Sequence, residues 1–280
     1  MDDLLKDWGD ILKGCSEVVP LKNGGQKKVI KCRHPKYGEV VIKTCKFSSD
    51  PSPERTKREI NFMKTVNSKF FPRNFESHID ESSNKFLIIE EFIDCIPFEE
   101  VKRYYNEEKK LIELLKVLIE ALNTLWNNNI VHRDLKPENI LFRKDFTPVI
   151  IDLGIARFLD AESLTRTMDL SGPCTPDYAS PEQLLNRKEL IGIRTDIFLL
   201  GIFMLELYLG FHPFSPDKVV NNKTIPDNIV SGTYVRASTR PGTSEKFCIL
   251  IDKMLKIYPY ERFRNAEILN KYLEDNWREL

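Results

Sequence analysis

Two short segments concentrate the chemistry of this 280-residue chain. VHRDLKPENILF (131–142) holds Asp134, Lys136 and Asn139 within six residues, and IIDLGIARF (150–158) adds Asp152 after a short apolar run. A carboxylate such as Asp134 can orient a hydroxyl and take its proton. Lys136, two residues on, offers a cation to a phosphate oxygen. The amide carbonyl of Asn139 and the carboxylate of Asp152 are hard oxygen donors of the kind Mg2+ prefers. Gly154 lets the chain turn sharply just beyond them. Such a set suits transfer of a phosphoryl group to an alcohol, in which the protein places the acceptor and neutralises phosphate charge. A turn of solvated charges is the alternative reading of the same residues.

Positioning these residues requires a scaffold, and the flanking sequence supplies one in two parts. SEVVPL, KKVIKC and EVVIKTCKF read as strands, divided by Asn23-Gly24-Gly25 and by the turn from His34 to Gly38. KFLIIEEFI (85–93) is a further strand. PSPERTKREINFMKTV lies between, with Ile60, Met63 and Val66 on one helical face. After about residue 95, Leu111, Leu115, Leu118, Leu122 and Leu125 mark a helical stripe too short for a coiled coil. More helices are expected near 181–187, 195–209, 244–256 and 264–275. The predicted plan is an α+β, bilobal molecule: an N-terminal extension (1–13), a small β-rich lobe (14–93) and a larger helical lobe (94–280). A hinge is expected near Glu91–Asp94.

Composition narrows the class. Lys+Arg and Asp+Glu both number 42, so no net charge gathers nucleic acid or an anionic membrane. The six cysteines are scattered without a CxxC pair, which argues against a disulfide scaffold or a zinc site and for reduced thiols in the cytoplasm. MDDLLKDWGD lacks the basic flank and apolar run of a signal peptide. The longest apolar stretch, 198–211, contains Glu206 and falls short of the ~20 residues a membrane span needs. It reads as a buried helix.

The segment VHRDLKPENILF followed by IIDLGIARF resembles the catalytic and metal-binding loops of eukaryotic-type protein kinases, in their serine/threonine branch. TPDYASPE (175–182) is similar to the family's substrate-site loop, and TDIFLLGIFMLELYLGFHPF (195–214) to its central helix. The resemblance covers about residues 14–275. It implies Asp134 as the acceptor of the substrate proton, Lys136 beside the transferring phosphate, Thr175 bonded to both, and Asn139 and Asp152 as metal ligands. VVIK (40–43) resembles the strand whose lysine holds the α- and β-phosphates, which makes Lys43 that lysine and Lys46 its rival. REINFM supplies Glu59 as its ion-pair partner.

The nucleotide loop departs from the family pattern: LKNGGQKKV (21–29) keeps Gly24, with Gly25 beside it, but has Lys22 and Lys27 at two glycine positions. A plain hairpin turn fits the same residues. By resemblance Val29 and Val41 cover the adenine from above and Leu141 from below, while Glu91 and Ile93 present backbone groups to its edge. The gate behind the pocket falls on Glu90, or on Ile89 with a one-residue slip, and a buried Glu90 would need a partner. Glu182 is expected to pair with Arg262, and Asp196 to accept backbone N–H groups of the catalytic loop. His212 is expected in packing, and His34 and His78 on the surface. Glu138 and Glu206 match positions that contact a substrate arginine in basophilic kinases. Ser171, then Thr167, are the candidate phosphorylation sites, with Arg133 as the phosphate's partner.

The resemblance implies a serine/threonine protein kinase that uses ATP and Mg2+, with Mn2+ as a substitute, and autophosphorylates through transient self-association. Protein Ser/Thr hydroxyls are the expected acceptors; no nucleic acid or membrane partner is expected. A pseudokinase scaffold and a small-molecule kinase are the alternatives.

Overall fold

The structure, a computed structural model, describes residues 8–24, 27–46, 62, 64–66, 68–80, 85–152, 157–158 and 176–278. The chain divides into two compact units, Met1–Asp94 and Cys95–Leu280.

The first unit is built on five antiparallel strands: β1 (Ser16–Gly24), β2 (Lys27–His34), β3 (Gly38–Lys46), β4 (Asn74–Asp80) and β5 (Lys85–Glu91), in the order β1-β2-β3-β5-β4. Pro20 lies in β1, an edge strand, the part of a sheet to which proline is largely confined. The β1–β2 ladder runs as far as the pair Gly24 and Lys27. Strand residues alternate between faces. Val40, Ile42, Leu87 and Ile89 point to one side and form a core with Cys32, Trp8 and Leu12. Val41, Lys43, Ile88 and Glu90 take the other.

Trp8 and Leu12 lie within the stretch read from sequence as an extension, yet both are buried in this core. His34 corrects an expectation. It is buried rather than on the surface, because the turn after β2 folds Tyr37 back onto its ring (centroids 4.9 Å apart), with Phe75 stacked beyond at 4.7 Å. His78 is partly exposed and lies 3.1 Å from Glu76 Oε2 through Nε2. Strand β4 was not legible: every residue of NFESHID is half-buried, so it lacks an apolar alternation.

The second unit is helical. Its helices are α1 (Phe98–Tyr104), α2 (Glu108–Trp126), α3 (Pro181–Leu184), α4 (Ile193–Leu209), α5 (Pro216–Val219), α6 (Ile225–Ser231), α7 (Glu245–Met254) and α8 (Ala266–Asn276). The leucine stripe of α2 is fully buried. Helix α4 is apolar on all sides because it is buried on all sides from Thr195 to Tyr208. Gly201 permits that packing: a Cβ there would stand 2.9 Å from Leu255 Cδ2 and 3.0 Å from Met254 Cβ. Short strands β6 (Ile130–Val131), β7 (Ile140–Phe142), β8 (Pro148–Ile150) and β9 (Arg157–Phe158) pair as β6-β9 and β7-β8. Among the described residues no helix is long and apolar enough to cross a membrane.

Candidate active site

The loop between β6 and β7 is held from below by one buried carboxylate. Asp196, in the first turn of α4, accepts the backbone N–H of His132 (2.9 Å) and of Arg133 (2.8 Å), and the indole N–H of Trp126 (2.8 Å). Burial pushes its pKa up, and the three donors oppose that shift. Arg133 takes the left-handed conformation, φ +69°, which turns the chain so that Asp134 follows at once.

A second set of bonds staples the loop to the strand that delivers Asp152. His132 Nδ1 accepts from Asp134 N (3.3 Å) and its Nε2 faces Ile151 O (3.1 Å), so its proton belongs on Nε2. Ile151 N in turn donates to Asn139 O (2.9 Å). Asp152 is the next residue, half-buried, with φ +63°. Both faces of Ile151 are therefore tied to the catalytic loop immediately before Asp152 leaves the strand.

Within the loop, Asp134, Lys136 and Asn139 are all buried and bonded to one another. Lys136 Nζ lies 3.0 Å from Asp134 Oδ2. Asn139 Nδ2 donates to that same oxygen (2.7 Å) and to the Asp134 carbonyl (2.8 Å). Both partners are acceptors, so the amide can present only its NH2 group to them, which fixes its carbonyl oxygen on the other side. Asp134 Oδ1 is buried and finds no hydrogen-bond partner among the described residues. Burial raises the carboxyl's pKa, with Lys136 the chief opposing influence.

Hard oxygens at Asn139 and Asp152 fit a divalent cation. Among the described residues no group of three or more His, Cys, Asp or Glu is placed to hold a metal.

Helix α3 supports the loop from the side. Glu182 and Arg262 form a buried bidentate pair (2.8 and 2.9 Å), and the guanidinium also donates to the carbonyls of Arg194, Lys256 and Ile257. Thr195 donates to the same carboxylate (2.8 Å). Gln183 bridges Ser180 N (2.9 Å, through Oε1) and the Arg133 carbonyl (2.9 Å, through Nε2). Sequence reasoning missed Gln183, since nothing in its neighbourhood signals a contact 50 residues away. Glu206 is buried and accepts Tyr178 OH (2.6 Å), while Glu138 is exposed. His212 packs edge-on against Tyr178, and burial lowers its pKa to about 4.

In the first unit, Lys43 forms an ion pair with Glu90, not a residue sequence reasoning had joined to it. Ile89 lies in the core on the opposite face, so the partner that a buried Glu90 needs is Lys43. Val41 and Ile93 are buried and Val29 is half-buried. Glu91 donates its N–H to Arg73 O (2.9 Å). In the second unit Leu141 is half-buried, in the middle of β7. Gly25, Glu59, Thr167, Ser171 and Thr175 lie outside the described residues, as do the side chains of Lys22, Lys27 and Lys46.

The family model described as "Protein kinase domain" matches residues 17–273. This chain belongs to the protein kinase family. The kinase domain is 29% identical over 272 residues to "Maternal embryonic leucine zipper kinase" of Xenopus tropicalis, covering 94% of this chain and 39% of that protein. It is 34% identical over 149 residues to "Probable serine/threonine-protein kinase PknB" of Lactococcus lactis, covering 51% and 23%. It is 31% identical over 240 residues to "Probable serine/threonine-protein kinase MARK-A" of Dictyostelium discoideum, covering 83% and 21%. The chain thus spans well under half the length of these relatives. The five-stranded antiparallel sheet and the helical second unit are those of the two lobes of a kinase domain.

Proposed function

We propose that this chain is a serine/threonine protein kinase that transfers the γ-phosphoryl group of ATP to protein hydroxyls. The observation that carries this reading is the Asp134 Oδ1 atom. A buried carboxylate oxygen without a donor is costly, and a substrate hydroxyl is the donor that would satisfy it. The hydroxyl proton passes to Oδ1 as the oxygen attacks phosphorus, and the bond from the γ-phosphorus to the β-phosphate oxygen breaks, releasing ADP. Lys136 would support this step twice: its ammonium lies 3.0 Å from Asp134 Oδ2 and holds that oxygen in place, and its charge would stabilise the transferring group. Asn139 fixes the same carboxylate while its amide carbonyl is directed to a cation.

Asn139 and Asp152 would hold Mg2+, which when bound neutralises charge on the phosphate oxygens. Lys43 would bind the α- and β-phosphates. Val29, Val41 and Leu141 would enclose the adenine, and the Glu91 and Ile93 backbones would meet its edge. Thr175 would join Asp134 and Lys136, and Glu59 would serve Lys43. Ser171 and Thr167 are proposed as phosphorylation sites that stabilise the active form through Arg133, by way of transient self-association. The free thiols Cys15, Cys32, Cys95 and Cys248 support a cytoplasmic location.

The test supplies radiolabelled ATP with Mg2+ and a mixture of candidate protein substrates. Labelled serine or threonine is the expected result. Absence of any label would favour the scaffold alternative, and label confined to small molecules would favour a metabolite kinase.

A further inference from the structure

We propose that Glu90 is a positioning residue for Lys43, holding the nucleotide-binding ammonium from within the sheet itself; this rests on the reading of Lys43 as the phosphate-binding lysine. Strands β3 and β5 are antiparallel and in continuous register, with Val41 opposite Glu90 and Lys43 opposite Ile88. That register places Glu90 diagonal to Lys43 on one face, a separation that long side chains span. The two side chains are only 9% and 4% exposed and form an ion pair. Neither charge is accommodated cheaply alone at that depth, because leaving one buried partner without the other carries a large desolvation cost. The neighbours on the same face, Val41 and Ile88, are buried and apolar. They offer neither charge a substitute.

The consequence is functional as well as structural. A lysine ammonium is a mobile point charge on a four-carbon stem, with three donors. Engaging the ammonium with a carboxylate fixed by strand register limits where it sits before any phosphate arrives. Ordering that would otherwise accompany nucleotide binding is then already present in the free protein. A carboxylate carried by the sheet is placed by the β3–β5 strand register.

A double-mutant cycle on ATP affinity tests the proposal, using the full chain with ATP and Mg2+ in titration calorimetry. Its variants are Lys43→Met, Glu90→Gln and the double substitution, each first shown by thermal unfolding to be folded. Glu90→Gln keeps the side-chain shape and removes the charge. In the otherwise native chain it is expected to weaken ATP binding about tenfold, which corresponds to the constant for one decade of affinity. In the Lys43→Met background it is expected to have no further effect, because its influence runs through Lys43. Equal effects in both backgrounds would overturn the proposal by showing that Glu90 acts on the fold at large. Loss of affinity in Lys43→Met without any loss in Glu90→Gln would overturn it while leaving the reading of Lys43 intact. Unchanged affinity in Lys43→Met would overturn both. Should Glu90→Gln fail to fold, Lys43→Met/Glu90→Met, which replaces the pair with apolar chains, is compared with Lys43→Met alone. Equal ATP affinity supports the proposal and a difference refutes it.

Discussion

Asn139 donates one amide group to two oxygens of Asp134, its carbonyl at 2.8 Å and its carboxylate Oδ2 at 2.7 Å. The residue that holds the proposed proton acceptor is therefore the same residue whose carbonyl oxygen would be offered to a cation. Asn139→Ala removes both functions at once, whereas Asn139→Asp keeps a hard oxygen but turns the amide's donor into a repelling carboxylate. We expect Asn139→Asp to lower kcat at least tenfold while retaining Mg2+-dependent ATP binding, measured by steady-state kinetics beside calorimetry. Equal kcat in Asn139→Asp and the native chain would show that the amide does not orient Asp134.

Burial lifts the Asp134 pKa above that of an exposed aspartate, and Lys136 opposes the shift. The ionised form is the one that accepts the proton. Activity should therefore fall as pH drops through the raised pKa, with an acid limb at higher pH than an exposed aspartate would give. Lys136→Met removes the opposing cation and should move that limb to still higher pH. The pH profile of kcat in the two proteins measures this directly, and coincident limbs would contradict it.

Gln183 connects α3 to the Arg133 carbonyl, one residue before Asp134. Gln183→Ala removes a buried hydrogen bond whose loss costs about 1–3 kcal/mol, since the carbonyl is left unsatisfied. We expect a reduced unfolding free energy in urea and a several-fold lower kcat, with KM for ATP unchanged. An altered KM for ATP with native kcat would count against this connection.

Glu182 and Arg262 are both buried, and every donor of the guanidinium has an acceptor. Removing one partner of such a pair costs about 3–5 kcal/mol. Glu182→Ala should therefore unfold at markedly lower urea concentration. Arg262→Lys should not be tolerated much better, because an ammonium cannot reproduce the planar fork. A Glu182→Ala midpoint near that of the native chain would refute this.

What was legible in the sequence follows from distance along the chain. Asp134, Lys136 and Asn139 lie within six residues, so the local turn that joins them is written locally. The leucine stripe of α2 and the alternation in β2, β3 and β5 were equally plain, because burial on one face leaves a period. The pairing of Lys43 with Glu90 was not readable. It depends on how β3 registers against β5, and a shift of one residue would have faced Ile89 toward Lys43 instead. Gln183 was missed for the same reason, as was the burial of His34, which turns on an aromatic stack completed by Phe75 from another strand. Trp8 and Leu12 form too short a pattern to announce that they cap the sheet's core. Strand β4 and the short helices α1, α5 and α6 carry little buried apolar surface and so left no periodic trace.

The measurement that bears most directly on the proposed chemistry compares the native chain with Asp134→Asn in phosphoryl transfer from labelled ATP, with ATP affinity measured alongside. Asparagine keeps the side-chain shape but cannot take the acceptor's proton. A general base contributes about 10²–10⁴-fold, and a turnover lower by that factor at an ATP affinity close to native is the predicted result. Native turnover in Asp134→Asn would contradict the assignment of Asp134 as the proton acceptor.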